Sequence, residues 1–165
     1  MSTPELYPET LVLLAQYAMR QVGSEGLVKW AVTQLQTGLS SPSLEILAGL
    51  DHEATEVREL YFWQAVEEVG MEIPREEAAY LQSYAREVAR TVVAGEENPQ
   101  QGLAMLKRIA YHQIKHPFYM EFLRIQEDID VLINTDFPSV YGKVNSLDEV
   151  DAVIRAACRR FIEGE

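Results

Sequence analysis

The chain has 165 residues, of which 47% are hydrophobic and 24% charged, so it is long enough and apolar enough to bury a core. A net charge of −12 disfavours direct binding to nucleic-acid phosphates, and the single cysteine, Cys158, excludes an intrachain disulfide. The first apolar stretch is interrupted by polar residues within a few positions, which indicates neither a signal peptide nor a membrane span. We therefore expect a cytoplasmic protein without membrane contact.

Apolar residues recur at helical spacing along the chain, and no stretch alternates long enough to predict a strand. The pattern predicts an all-α protein, a single compact irregular bundle over residues 1–165 with seven or eight helices and short loops. The expected helices run from Pro8 to Val22, from Ser24 to Gly38, from Pro42 to Gly49, over 54–69, from Pro74 to Gly95, from Pro99 to Ile114, over 118–132 and from Ser146 onward. The segment from 134 to 145 is expected to be irregular.

Two similar loops punctuate this series, since Gly38 and Gly95 each precede a proline by four residues. Each glycine is expected to close a helix in the left-handed conformation, with Ser41 or Asn98 capping the next helix and proline at its first position. The flanking segments differ in length, so two independent corners are favoured over an internal repeat. Ser24 is a further expected cap, and Ser146 with Glu149 forms an expected capping box.

The predicted helix over 54–69 carries the best candidate for a binding surface. Its expected core stripe comprises Val57, Tyr61, Ala65 and Val69, whereas Trp63 falls on the opposite, acidic face. The residues that surround Trp63 there are Glu56, Glu59, Leu60 and Glu67. Because tryptophan is enriched at binding hot spots, this set is a candidate protein-binding site. The alternative is that Trp63 packs on another helix of the same chain.

The candidate metal site is weaker. His112 and His116 lie four residues apart and can share a helix face, but zinc requires a third protein ligand that the sequence does not show. Histidines near a helix C-terminus are also favoured there by the helix dipole. Neither a metal nor another cofactor is therefore expected.

Other polar groups have simpler interpretations. The segment Asp51-His52-Glu53, followed by Glu56, lacks the second histidine of a metalloprotease helix. Glu127, Asp128, Asp130 and Asp136 lack the glycine of a calcium loop and are expected on a solvated helix face. Arginines 155, 159 and 160 are explained by a helix C-terminus, and Cys158 by a buried apolar position.

Several segments resemble a family of uncharacterised small all-helical bacterial proteins. They are Ser41-Pro42-Ser43-Leu44, Leu47-Ala48-Gly49-Leu50, Glu56-Val57-Arg58-Glu59 and the second glycine–proline loop with Gly102, within residues 28–125. The resemblance implies a bacterial origin and no known activity.

We expect a non-catalytic protein that binds another protein, either a basic partner as an accessory or immunity-type inhibitor, or a further copy of itself. The alternative is a metal-dependent enzyme with a site near His112 and His116.

Overall fold

The computed structural model describes residues 3–113 and 117–164. The regular secondary structure of these residues consists only of helices, which loops connect. The described residues form eight α-helices: α1 (Thr3–Ala18), α2 (Glu25–Gln36), α3 (Pro42–Ala48), α4 (Thr55–Glu68), α5 (Glu77–Ala94), α6 (Pro99–His112), α7 (Met120–Asn134) and α8 (Val150–Glu163). Two 3₁₀ turns, Pro117–Tyr119 and Leu147–Glu149, precede α7 and α8. The predicted all-α class and number of helices are confirmed.

The chain divides into two compact units, Met1–Tyr84 and Ala85–Glu165, with the boundary inside α5. We call them unit 1 and unit 2. That the chain is one domain over residues 1–165 stays a prediction.

Unit 1 is built around α2, which packs on α3, while α3 packs on α4. At its centre the Trp30 ring meets the Phe62 ring edge-on, with centroids 5.0 Å apart. The Trp30 Nε1–H donates to Thr10 Oγ1 at 3.1 Å, and the Thr10 hydroxyl in turn donates to the Leu6 carbonyl at 2.8 Å. This chain of hydrogen bonds ties α2 to α1 and satisfies two polar groups in the core.

Unit 2 is built from α6, α7 and α8, which pack on one another. Its core includes Leu106, Ile125 and Ile154, all fully buried, and Phe122 packs edge-on against Phe161 at 5.5 Å. Cys158 is also fully buried, as expected, and burial, followed by the charge of Glu121, raises the pKa of its thiol to about 11. The thiol is therefore protonated and acts as a small apolar group.

Both glycine–proline loops have the predicted geometry. Gly38 and Gly95 have φ angles of +91° and +77°. Ser41 accepts a hydrogen bond from the Leu44 N–H at 3.2 Å, and Asn98 accepts one from the Gln100 N–H at 2.9 Å. In each case proline occupies the first turn of the following helix.

The predicted bounds of α1 are wrong at both ends. The helix begins at Thr3, so Pro8 lies within it and removes one hydrogen bond near its start. It ends at Ala18 because Arg20 adopts a φ of +58°, after which the Gln21 N–H donates back to the Gln16 carbonyl at 2.8 Å. A left-handed arginine, rather than Gly23, closes this helix.

Of three other predicted helix starts, that of α2 is right, since Ser24 directly precedes the helix, whereas those of α5 and α8 are wrong. The Ser24 side chain makes no capping hydrogen bond and instead lies 3.1 Å from the Thr55 hydroxyl. The long helix α5 begins at Glu77 rather than at Pro74. The predicted capping box of Ser146 and Glu149 does not form, because the Glu149 carboxylate accepts a hydrogen bond from the Asn145 N–H instead. A 3₁₀ turn lies between Ser146 and α8, and the Ser146 side chain makes no capping hydrogen bond.

The predicted solvated position of Asp128 is wrong. Its side chain is fully buried within α7, and its carboxylate accepts backbone N–H groups of the irregular segment that follows the helix. The donors are Tyr141 at 2.7 Å, Lys143 at 2.6 Å and Val144 at 3.1 Å. The other acidic residues of the predicted face, Glu127, Asp130 and Asp136, are exposed as expected.

Candidate functional site

The candidate site lies in unit 1, beside α4, and depends on which face of that helix is buried. Of the predicted core stripe only Ala65 is fully buried, while Val57, Tyr61 and Val69 remain partly exposed. The buried face is instead formed by Phe62, Ala65 and Val66. Because Phe62 is the aromatic residue that packs on Trp30, the core face is rotated by one residue from the predicted one.

This rotation brings Trp63 to the edge of the core. Its ring lies 5.2 Å from the Phe62 ring and 6.2 Å from the Tyr80 ring of α5, measured between centroids. Trp63 is thus neither fully exposed nor fully buried. The structure supports the alternative that Trp63 packs on another helix of the chain, and it also leaves part of the ring at a cavity wall.

One cavity beside α4 has a volume of about 560 Å³, which lies in the range typical of ligand sites. We call it the outer cavity. Its walls are the end of α1, the following loop and the first turns of α4 and α5, and its polar side chains include Arg20, Glu25, Glu59 and Glu77. The lining thus contributes three carboxylates and one guanidinium, and Lys29 and Arg58 also act on Glu25 electrostatically.

The loop in this wall is held in place by Arg58 of α4. Its guanidinium donates to the Ser24 hydroxyl at 2.9 Å and to the Leu50 carbonyl at 2.8 Å. The left-handed turn at Arg20 sets the direction in which the loop leaves α1. The Ser24 side of the outer cavity is thus tied to α4.

A second cavity of about 220 Å³, the inner cavity, shares four lining residues with the outer one: Tyr17, Glu59, Glu77 and Tyr80. Its remaining wall contains Trp63 and Arg75 together with the apolar side chains Leu14, Leu27 and Phe62. A third cavity of about 180 Å³ is lined by Trp63, Glu67 and Arg75 among others. The three cavities form a series along α4, which we call the α4 cleft.

The α4 cleft is electronegative where the outer and inner cavities meet. The Tyr17 hydroxyl donates a hydrogen bond to Glu59 Oε1. Burial, this hydrogen bond and the charge of Glu59 all raise the pKa of Tyr17. Burial, followed by the charges of Glu77 and Glu59, raises the pKa of Tyr80 to about 12. Both tyrosines are neutral near pH 7, so the carboxylates determine the charge here.

The structure brings together only part of the predicted binding set. Glu59, Trp63 and Glu67 line the α4 cleft, and Glu67 forms an ion pair with Arg75 at 3.2 Å. Glu56 and Leu60 are exposed and line none of these three cavities. That Glu56 and Leu60 belong to an exposed binding surface around Trp63 stays a prediction.

Sequence reasoning missed Tyr17, Glu77 and Tyr80. Tyr17 lies 42 residues before its partner Glu59, and no local pattern reports such a pairing. Tyr80 borders the apolar stripe of α5 with a polar tip, which is the one available signal. The position of Tyr80 beside the apolar stripe of α5 was thus the only feature in the sequence that indicated a role in the site.

Of the predicted metal pair, the structure describes only His112. His112 is the last residue of α6 and is exposed, while His116 lies outside the described residues. Within residues 3–113 and 117–164, no group of three or more histidine, cysteine, aspartate or glutamate side chains is arranged to hold a metal ion.

In the same part of the chain, no helix combines the length and apolar character that crossing a bilayer requires. Comparison of the chain with protein-family models, with curated proteins and with solved structures found no match.

Proposed function

We propose that this chain is a non-catalytic binding protein whose α4 cleft receives a basic segment of another protein. The observation that carries the proposal is the outer cavity, whose lining includes the side chains of Glu25, Glu59 and Glu77 beside that of Arg20. A net charge of −12 adds long-range attraction for a basic partner. We propose that the protein acts in the bacterial cytoplasm, as an accessory protein or as an immunity-type inhibitor.

Charge complementarity and shape support the same occupant. The cavity is concave and polar, and Arg58 donates a hydrogen bond to Ser24 in its wall. Of the three carboxylates, that of Glu59 is held by a hydrogen bond from the Tyr17 hydroxyl, and a group that is already held loses less freedom on association. A basic segment is favoured over a second copy of this chain, whose own surface is acidic overall.

Fluorescence anisotropy with a defined peptide tests this function. A labelled glycine–serine peptide with several lysines is titrated with the full chain, beside the same peptide with glutamate in place of lysine. The lysine peptide should bind, and the glutamate peptide should not. Binding should weaken as salt is raised, because exposed charges are screened. Equal binding of both peptides, or of neither, contradicts the proposal.

Paired variants locate the binding in the α4 cleft. Glu77→Gln removes a carboxylate from the outer cavity, whereas Glu127→Gln removes one from the exposed surface of unit 2 and serves as the matched control. Glu77→Gln should weaken lysine-peptide binding about fivefold, and Glu127→Gln should change it by less than about twofold. Equal effects of the two variants would show that net charge, not the cleft, attracts the peptide.

The alternative function, a metal-dependent enzyme near His112 and His116, gains no supporting contact from the described residues. Elemental analysis of the purified chain tests it separately. If the wild type binds metal stoichiometrically and the His112→Ala variant loses it, the enzyme function is favoured over the binding function.

A further inference from the structure

The strongest additional feature is the way Glu59 is held at the junction of the outer and inner cavities. Its Oε1 accepts the hydrogen bond from the Tyr17 hydroxyl, while its Oε2 accepts none from the described residues. Glu59 is also only partly exposed. One carboxylate oxygen is therefore engaged and the other is open to a donor that enters the cleft.

The walls around Glu59 suit the stem of a long cationic side chain. Leu14, Leu27 and Phe62 provide apolar surface in the inner cavity. Trp63 lies one helical turn beyond Glu59 on α4, and its ring contacts that of Tyr80. Aromatic rings attract cations, and alkyl stems pack on apolar surface while the charged end stays polar.

The carboxylate of Glu59 also favours a cation beside the apolar wall of the inner cavity. The charged side chains in the lining of that cavity are Glu59, Glu77 and Arg75. Arg75 pairs with the exposed Glu67 at 3.2 Å, and Glu77 has an interaction partner of its own, so Glu59 is the carboxylate that attracts the cation. The two carboxylates near Tyr80 are the same ones that raise the pKa of that tyrosine.

We infer that the inner cavity is a recognition pocket for one primary alkylammonium group, the end of a lysine side chain in the basic partner. This inference rests on the proposed function and names its anchoring contact. The ammonium group donates to Glu59 Oε2, and its methylene stem packs against the apolar wall near Trp63.

The geometry at Glu59 selects an ammonium group over a guanidinium group. A guanidinium binds best when its two parallel N–H groups reach both oxygens of one carboxylate. Here the Tyr17 hydroxyl already takes one acceptor position of Oε1, so a paired guanidinium would have to share that oxygen with Tyr17 and is less favoured. An ammonium group acts as a compact point charge and needs only the remaining oxygen.

Titration with small amines tests the pocket directly, with indole N–H signals of the ¹⁵N-labelled full chain as the readout. Trp63 and Trp30 are the two tryptophans of the chain, and a Trp63→Phe variant assigns their signals. Trp30 is buried with its N–H bonded to Thr10, so it serves as an internal reference. n-Butylammonium should shift the Trp63 signal and leave that of Trp30 in place, whereas n-butanol should shift neither.

Two variants test the assigned contacts. Glu59→Gln should weaken n-butylammonium binding about tenfold, since it removes a charge-assisted hydrogen bond. Tyr17→Phe frees Oε1 and should raise the affinity for n-propylguanidinium relative to n-butylammonium. If Tyr17 has only a structural role, Tyr17→Phe should lower the affinities for both ligands by the same factor, and the ratio of the two affinities should stay unchanged.

The outcomes separate this inference from the proposed function. If the lysine peptide binds but n-butylammonium does not shift Trp63, the pocket inference fails and the proposed function stands. If n-butanol shifts Trp63 as strongly as the amine, or Glu59→Gln has no effect, the inference also fails. If neither peptide nor amine binds, both fail.

Discussion

At the scale of single residues, Asp128 controls the irregular segment after α7. Its buried carboxylate accepts the backbone N–H groups of Tyr141, Lys143 and Val144. A single carboxylate that accepts several backbone donors can fix a segment that lacks regular structure.

Replacing Asp128 with asparagine should destabilise the protein by about 3 kcal/mol, because an amide NH₂ would face buried N–H donors. Urea denaturation followed by circular dichroism measures the change. Asp130→Asn is the control, since Asp130 is exposed, and it should change the free energy of unfolding by less than about 0.5 kcal/mol. Equal effects of the two variants would contradict the role assigned to Asp128.

The contribution of the Asp128 carboxyl group to the free energy of unfolding should depend on pH. Burial alone would raise the pKa of Asp128, but the backbone donors outweigh it and lower this pKa below its ordinary value of 3.8. A lowered folded-state pKa stabilises the fold above the unfolded-state pKa, and this stabilisation is lost as pH falls through the folded-state pKa. The stability difference between the wild type and Asp128→Asn should therefore be constant near pH 7 and shrink below about pH 4. A difference that grows on acidification would contradict this assignment.

Gln34 of α2 differs from Asp128, because its polar side chain is buried without hydrogen-bond partners among the described residues. It is fully buried, and neither its Oε1 nor its Nε2 has a hydrogen-bond partner among the described residues. Gln34→Met keeps the volume and removes both unpaired groups, so it should stabilise the fold by about 1 kcal/mol or more. Thermal denaturation checks this expectation. A lower melting temperature for the variant would show that the amide has a partner in solution.

At the scale of elements, the helix ends depend on backbone geometry more than on side-chain contacts. Gly38 and Gly49 both follow helices, but Gly38 has a φ of +91° and Gly49 a φ of −98°. Only the first geometry is unfavourable for a residue with a Cβ.

Gly38→Ala should therefore destabilise the protein by about 1 to 2 kcal/mol, although a Cβ at that position would contact nothing within 4 Å. Gly49→Ala should be neutral or slightly stabilising, since its geometry is accessible to alanine. Urea denaturation of both variants distinguishes the two sites. Similar values for the two substitutions would refute the geometric explanation of the helix end.

Helix ends could be predicted where a strong local signal sets them. The loops at Gly38–Pro42 and Gly95–Pro99 combine a glycine, a capping side chain and a proline, and both have the predicted geometry. The end of α1 carries no such combination, since a left-handed arginine at Arg20 is rare and depends on the surrounding contacts. The start of α5 at Glu77 likewise has no marker that outweighs Pro74.

At the scale of the whole molecule, helical periodicity was enough to predict the all-α class, because each helix must bury an apolar stripe. The candidate site could be predicted only in part. Trp63 and Glu59 stand out within one helix, whereas Tyr17 and Tyr80 join them from α1 and α5 through contacts of long sequence separation. The position of Asp128 was missed for the same reason, since its donors lie 13 to 16 residues later.

The central claim is that a basic segment binds in the α4 cleft of unit 1. An amide shift map of the ¹⁵N-labelled full chain with the lysine peptide tests this claim most directly. We predict that the largest shifts fall on the end of α1 and the following loop, on Glu59 and Trp63, and on Glu77 and Tyr80. Shifts centred on residues 117–164 of unit 2, or no shifts in the presence of the peptide, would contradict it.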